Sequence, residues 1–433
     1  MNIKRDFYLK QIIDKMWNGR VKIITGIRRC GKSYLLFKLF YQYLLSQNVT
    51  KDQIIILSLE DIDFAEYRNP FRLNEYINSL IKDKTKQYYV MIDEIQYCET
   101  LDNPYHENSS YKITFIDVLL SLVKKENVDV YITGSNSKML STDVLTQFRD
   151  RGDEIRVYPL SYKEVYPLFE VKQEAFNHYM IYGGLPEIYN YKSDEQKSKY
   201  LKDVFAKTYI KDILERHNIL NEKEVLETLL NFISSSVGSL TNSFKLSNRF
   251  LSNNKIKINS NTISIYLDYF IDSFIISRAQ RYDIKGSKYF NTPLKYYFTD
   301  VGLRNAWLNF KQIEPSHIME NIIYNDLIRR GFNVDIGVIE IRQKENNSFK
   351  KMQLEVDFVV NKAHQRYYIQ SALNIHTFEK QQQEIRSLNN IKDSFQKIIV
   401  VRDNIIPRHD ENGILYIGLE RFLLTDNLAD LII

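Results

Sequence analysis

Eight residues near the start of the chain restrict its fold more than any other stretch: Gly26-Ile27-Arg28-Arg29-Cys30-Gly31-Lys32-Ser33. They read G-x-x-x-x-G-K-S, a pattern that acquires meaning only between a strand and a helix. Both neighbours are legible. Val21–Thr25 is a short β-branched run, and Tyr34–Phe40 is apolar on more than one helical face. In that setting the glycines let the loop turn its N–H groups inward, and the helix N-terminus adds partial positive charge. The backbone of Gly26, Ile27, Arg28, Arg29, Cys30 and Gly31 would then wrap phosphates. Lys32 would reach the β- and γ-phosphates, and the Ser33 hydroxyl would bind Mg2+.

The next apolar runs continue the scheme. Residues Ile54–Leu59 form a strand ending at Glu60-Asp61, and a polar helical stretch follows at about 70–85. Tyr88–Ile92 is a strand that ends in Asp93-Glu94. A hydrophobic strand ending in two acids is the partner a phosphate loop calls for. Asp93 would hold the metal, and Glu94 would polarise the attacking water. Val128–Asn136 is a further strand, whose polar end, Ser135 and Asn136, suits a γ-phosphate sensor and equally suits a turn. Glu154–Tyr158 is the last strand. In the loop before it, Gln147–Asp153, an exposed arginine could stabilise transferred-phosphate charge in cis or from a neighbouring copy; its alternating Arg and Asp equally suit a solvated charged loop. Repeated strand–helix units imply an α/β fold, a parallel sheet with helices on both faces.

Four segments, GIRRCGKS, YYVMIDEIQ, YITGSNSKML and RDRGDEIRVYPLSYKEV, resemble the AAA-type ATPase domain of prokaryotic ATPases that carry a C-terminal DUF4143 region. The resemblance implies an ATP-binding core that uses Mg2+, with Asp93-Glu94 as its acidic pair. It also implies a sensor at Ser135 or Asn136 and an arginine finger at Arg151. A homo-oligomer is the setting in which that arginine would act in trans.

Residues 1–161 are assigned to this ATPase domain, and 162–218 to a helical lid or connector that contains Tyr182-Gly183-Gly184-Leu185-Pro186. Residues 219–298 change character. Helices are expected at Glu224–Ile233, Phe244–Phe250 and from Asn261. Two strand-like runs follow, Phe274–Arg278 and Arg281–Ile284, with a turn at Lys285–Lys288. Three helices and a basic hairpin spell a winged helix, a module that can enter duplex DNA. Between Ser243 and Phe290 basic residues exceed acidic ones by five, as large as the +5 net charge of the whole chain. Such a patch suits phosphate contacts, and protein packing could produce the same pattern.

Residues 299–433 suggest a helix at about 316–330, then strands at Asn333–Ile336, Leu354–Val360 and Arg366–Ala372, then a helix at about 377–389. This order resembles the PD-(D/E)xK nuclease core, whose chemistry needs two metal-binding acids and a lysine. Glu320 and Asp357 match the upstream acids. The (D/E)-x-K position reads Gln370-Ser371-Ala372, which supplies neither carboxylate nor ammonium, and this argues against cleavage.

At 433 residues the chain is too long for one core. Two cysteines, Cys30 and Cys98, argue against a disulfide framework. No apolar run approaches the roughly 20 residues of a membrane helix, and the N-terminus leads into no signal-peptide core, so a cytoplasmic protein without a membrane partner is expected. The function expected is ATP binding and hydrolysis coupled to duplex DNA or to a protein partner. The alternatives are an ATP-gated, metal-dependent DNA nuclease and a protein-interaction switch without nucleic acid.

Overall fold

A computed structural model describes residues 3–104, 111–134, 148, 151–210, 213–214, 219, 223–345 and 348–431. The chain divides into two compact units: Met1–Pro159 with Asp272–Phe274, and Leu160–Ile271 with Ile275–Ile433.

The first unit is built on a five-stranded sheet. Its strands are β1 (Val21–Thr25), β2 (Ile54–Ser58), β3 (Tyr88–Asp93), β6 (Val128–Gly134) and β7 (Gly152–Arg156); β4 (Leu101–Asp102) and β5 (Lys112–Ile113) form a separate small ladder. The order is β2-β3-β6-β1-β7, and every neighbouring pair is parallel. Every residue of β1, β3 and β6 is buried, as a sheet covered on both faces requires. Period-2 alternation divides these residues between the faces. Val90, Ile92, Val130 and Ile132 join Leu73, Ile77, Ile116, Leu119 and Leu122 of two covering helices in one core. Tyr89 and Tyr131 meet Phe40 instead, with ring centroids 6.5 and 4.8 Å away. Phe40 belongs to the continuous helical run Lys32–Ser46, whose middle, Leu35–Phe40, is a π-helix. The last strand begins at Gly152, two residues before its expected start.

This order places β6 between the loop-bearing β1 and the acid-bearing β3. The C-terminal ends of all three strands open on one edge of the sheet, where parallel α/β sheets bind ligands.

The second unit begins with helices and ends in an eight-stranded sheet. Helices Lys223–Ser235, Ser243–Arg249 and Ser260–Asp272 come close to the three expected. Between the first two, Thr241 and Leu294 exchange both backbone hydrogen bonds, at 2.9 and 2.8 Å. The two short strands expected at 274–284 are one strand, β8 (Ile276–Asp283), and its partner is the longer β9 (Lys288–Phe298). A bulge between Ala279 and Arg281 absorbs the irregularity that reads as a break in the sequence.

The hairpin does not stand alone. β8 pairs in parallel with β10 (Asn333–Glu345), which continues through β11 (Ser348–Lys362), β12 (Gln365–Ala372), β13 (Gln396–Val401), β15 (Leu415–Gly418) and β14 (Arg408–His409). The boundary expected at 298/299 therefore falls between strands of one sheet. Helix Pro315–Arg329 packs on β9 to β12, and helix Phe378–Asn389 on β11 to β13. Among the described residues no helix is long and apolar enough to cross a membrane.

Candidate functional site

The loop after β1 closes tightly because two positions take backbone that side chains resist. Gly26 has φ +142°, and a Cβ there would lie 2.1 Å from the carbonyl oxygen of Val157. Gly31, at φ +100°, precedes the helix in a left-handed turn. Arg5 stiffens the loop from outside, a role no motif announces. Its buried guanidinium donates to the carbonyls of Cys30 at 3.0 Å and Tyr158 at 2.7 Å. Cys30 is itself wholly buried, its Sγ 3.4 Å from the Val157 oxygen, and burial pushes its thiol up.

Lys32 is buried, its ammonium donating to the carbonyls of Gly26 at 3.1 Å and Ile27 at 3.3 Å. That holds it at the mouth of the loop, the position from which it can transfer to phosphate oxygens. The Ser33 hydroxyl lies 2.9 and 3.1 Å from the two carboxylate oxygens of Asp93. The loop and the end of β3 thus meet at one hydroxyl and one carboxylate. Burial holds the Asp93 carboxyl above its ordinary range, opposed by hydrogen bonds from Thr133 and Ser33.

Thr133, buried near the end of β6, lies within the YITGSNSKML segment, where no role is expected of it. Its hydroxyl donates to Asp93 and accepts the Glu94 amide at 3.1 Å. Glu94 has φ +49°, rare outside glycine, and this ends β3 and starts the turn Ile95–Tyr97. The Gln96 side-chain amide donates to its carboxylate.

Ser135 and Asn136, the expected sensors, lie outside the described residues. Arg28 is half-buried, and Arg29 is exposed with φ +62°. Arg151 is exposed, and its carbonyl accepts the Val21 amide at 2.8 Å. That contact places it at the start of β1 and β7, whereas the phosphate loop follows their ends. Five residues of strand separate the two, about 16 Å. The arrangement does not bring Arg151 to the loop of its own chain.

The second unit holds another cluster. Lys295 and Tyr297 are two residues apart on β9, Glu355 and Asp357 two apart on β11, and Glu320 projects from helix Pro315–Arg329. The buried Lys295 ammonium lies 2.9 Å from Glu320 and 2.7 Å from Glu355. Tyr297 donates to the same Glu320 oxygen at 2.7 Å. Asp357 accepts the Ser371 amide at 2.8 Å, and its own amide donates to Gln370 at 3.4 Å. Burial first, and the Glu320 charge next, push Asp357 well above the carboxylate range, with Lys295 pulling the other way. Burial works to lower Lys295, but Glu320, Asp357 and Glu355 together outweigh it and raise it.

The basic segment has also sorted itself. Lys245, Lys255, Lys257, Lys285 and Lys288 are exposed, as is Asn261 at the start of the third helix. Arg278 is exposed but pairs with Asp268 at 3.3 Å, and Arg281 is buried, donating to Gln353 at 2.8 Å.

Residues 18–166 match the family described as an AAA domain. Residues 173–314 match a domain of unknown function, DUF8612, in place of the DUF4143 region the resemblance implied. An uncharacterized protein of Haemophilus influenzae is 30% identical over 405 residues, spanning 92% of this chain and 93% of that one. An uncharacterized protein of Methanocaldococcus jannaschii is 28% identical over 372 residues, spanning 83% and 75%. Among solved structures, a Walker-type ATPase of Pyrococcus abyssi aligns with TM-score 0.47 and 14% identity, over 71% of this chain and 96% of that one. The Aeropyrum pernix ORC1 protein in complex with DNA aligns with TM-score 0.31 and 11% identity, over 71% and 93%.

Proposed function

The chain belongs to the family of the Haemophilus influenzae protein and carries an AAA-type P-loop ATPase domain; from that premise we propose that it hydrolyses ATP and couples its nucleotide state to binding of duplex DNA. The observation that carries the first half is the meeting of Ser33, Asp93 and Thr133 beside the phosphate loop.

The donor set suits a magnesium ion. The Ser33 hydroxyl and the Asp93 carboxylate would hold it. When bound, it would supply charge neutralisation to the transferring phosphate. The chain's own groups do the rest. Gly26 to Gly31 turn backbone N–H groups to the phosphates, and Lys32 leaves its two carbonyls for the β- and γ-oxygens. Glu94 takes the proton of the attacking water as oxygen bonds to the γ-phosphorus and the bond to ADP breaks. Thr133 fixes the spacing of Asp93 and Glu94, and Gln96 restrains the Glu94 carboxylate. Ser135 or Asn136 serves as the sensor. Arg151 acts from a neighbouring copy, because within one chain it stands at the far end of the sheet.

The second half rests on residues 219–298, read as a winged helix. Three helices, the Thr241–Leu294 bridge and the β8–β9 hairpin support this reading. Lys285 and Lys288 flank the exposed turn of the hairpin, and Lys255, Lys257 and Asn261 lead into the third helix. The test is duplex binding across a salt series, with and without ATP. Changing Lys285 and Lys288 to Ala should weaken binding to all sequences and flatten the salt slope by about 2, near 0.9 for each phosphate no longer neutralised. Unchanged affinity and slope would assign the module to a protein partner.

A further inference from the structure

The Glu320–Asp357 pair stands where a nuclease-type core holds its metal, and β12 brings Gln370 beside Asp357, as that alignment requires. Yet the polar groups around the two acids are already engaged by the protein. We propose that Lys295 is a resident cation that fills the divalent-metal position of this centre, making it a structural lock and not a hydrolytic site.

Three observations lead there. First, the ammonium sits between two carboxylates at 2.7 and 2.9 Å, and its side chain is only 4% exposed. A metal at that point would have to share the space with a buried like charge. Second, the protein's own donors already occupy one oxygen of each acid: Tyr297 shares the Glu320 oxygen with Lys295, and the Ser371 amide holds one oxygen of Asp357. Gln370, where the motif wants a carboxylate, is turned to Glu384 at 3.4 Å and to the Asp357 amide. Third, the backbone of Gly238 covers Glu320. A Cβ built there would lie 3.2 Å from its carboxylate oxygen, and the Gly238 amide donates to Tyr296 at 3.1 Å. A phosphodiester has no approach from that side. Consistently, among the described residues no group of three or more His, Cys, Asp or Glu side chains is arranged to hold a metal ion.

The residues therefore do not fit the metal that the nuclease resemblance implies. They fit a different task. Lys295 ties β9 to helix Pro315–Arg329 and to β11, although β8 joins β10 only through Arg281–Asp283. The half of the hairpin beyond the Ala279/Arg281 bulge is held by this ion cluster.

The test uses the full chain without nucleotide. Manganese binding is read by electron paramagnetic resonance, and stability by thermal unfolding. The parent should gain neither a Glu320-dependent manganese site nor thermal stability from millimolar Mn2+. Lys295→Met leaves three carboxylates without their cation. It should melt on the order of 5–10 °C lower, bind one additional Mn2+ and recover most of the loss when Mn2+ is added. Adding Glu320→Gln to that variant should abolish the gain. Manganese bound by the parent and lost in Asp357→Asn would overturn the proposal. So would a folded Lys295→Met that binds no more than the parent. Should Lys295→Met fail to fold, Glu320→Gln alone still decides, because it leaves the Lys295–Glu355 pair in place. Unchanged manganese binding upholds the lock, and a lost manganese ion refutes it.

Discussion

Thr133 reaches both halves of the acidic pair, donating to Asp93 and accepting the Glu94 amide at 3.1 Å. Thr133→Val keeps the shape and removes both hydrogen bonds. It should lower kcat about 10–100-fold, the range for residues that orient a metal ligand, while a fluorescent-nucleotide titration shows ATP affinity little changed. Unchanged turnover would make the hydroxyl a packing detail. Lys32, Ser33, Asp93 and Glu94 were legible in the sequence because phosphate and metal chemistry dictates both residue type and position. Thr133 was not. Chain order does not reveal that β6 inserts between β1 and β3, so the sequence pointed past the strand to Ser135 and Asn136. Arg5 escaped for a similar reason: a lone arginine near a terminus carries no pattern, and its partners lie 25 and 153 residues away.

At the scale of elements, the double-glycine turn is held by Asp300, which caps the following helix. Its carboxylate accepts the amides of Gly184 at 2.7 Å and Leu303 at 3.0 Å. Burial pushes its carboxyl up to about 6, against the pull of these backbone donors. A raised acid pKa means the folded state binds the proton more tightly than the unfolded state. Its stabilising contribution is fullest below the ordinary carboxylate pKa and is lost as pH rises through about 6. Asp300→Asn cannot titrate. Between about pH 4 and pH 7 the parent should therefore lose roughly 3 kcal/mol relative to the variant in denaturant unfolding. A constant difference across that range would place the carboxyl in its ordinary range. The two sheets differ in how much of them could be read. The parallel strands declared themselves as short apolar runs. The β8–β9 hairpin was read only in part: its turn at Lys285–Lys288 was expected, but β8 was split into two strands because the bulge at Ala279/Arg281 breaks the alternation that marks a strand. The Lys295 cluster was hidden because Glu320 and Glu355 are distant in sequence and only the folded sheet and helix bring them together.

At the scale of the whole molecule, the proposed arginine finger, Arg151, is kept about 16 Å from the phosphate loop of its own chain along β1. If a neighbouring copy supplies Arg151, two crippled chains should repair each other. Lys32→Ala keeps the arginine and loses the phosphate cradle, and Arg151→Ala does the reverse. Each should be nearly inactive alone, and turnover should return on mixing. Full activity of Arg151→Ala alone would leave that residue as solvated surface. ATP hydrolysis is proposed at the edge where β1, β3 and β6 end. Its most direct test is one comparison of ATP retention and turnover in the parent, Lys32→Ala and Glu94→Gln. Lys32→Ala should lose ATP binding. Glu94→Gln should bind ATP as the parent does, with turnover reduced about 100-fold or more, because the phosphate cradle is intact and the base is gone. Hydrolysis by Glu94→Gln at the parental rate would contradict the account.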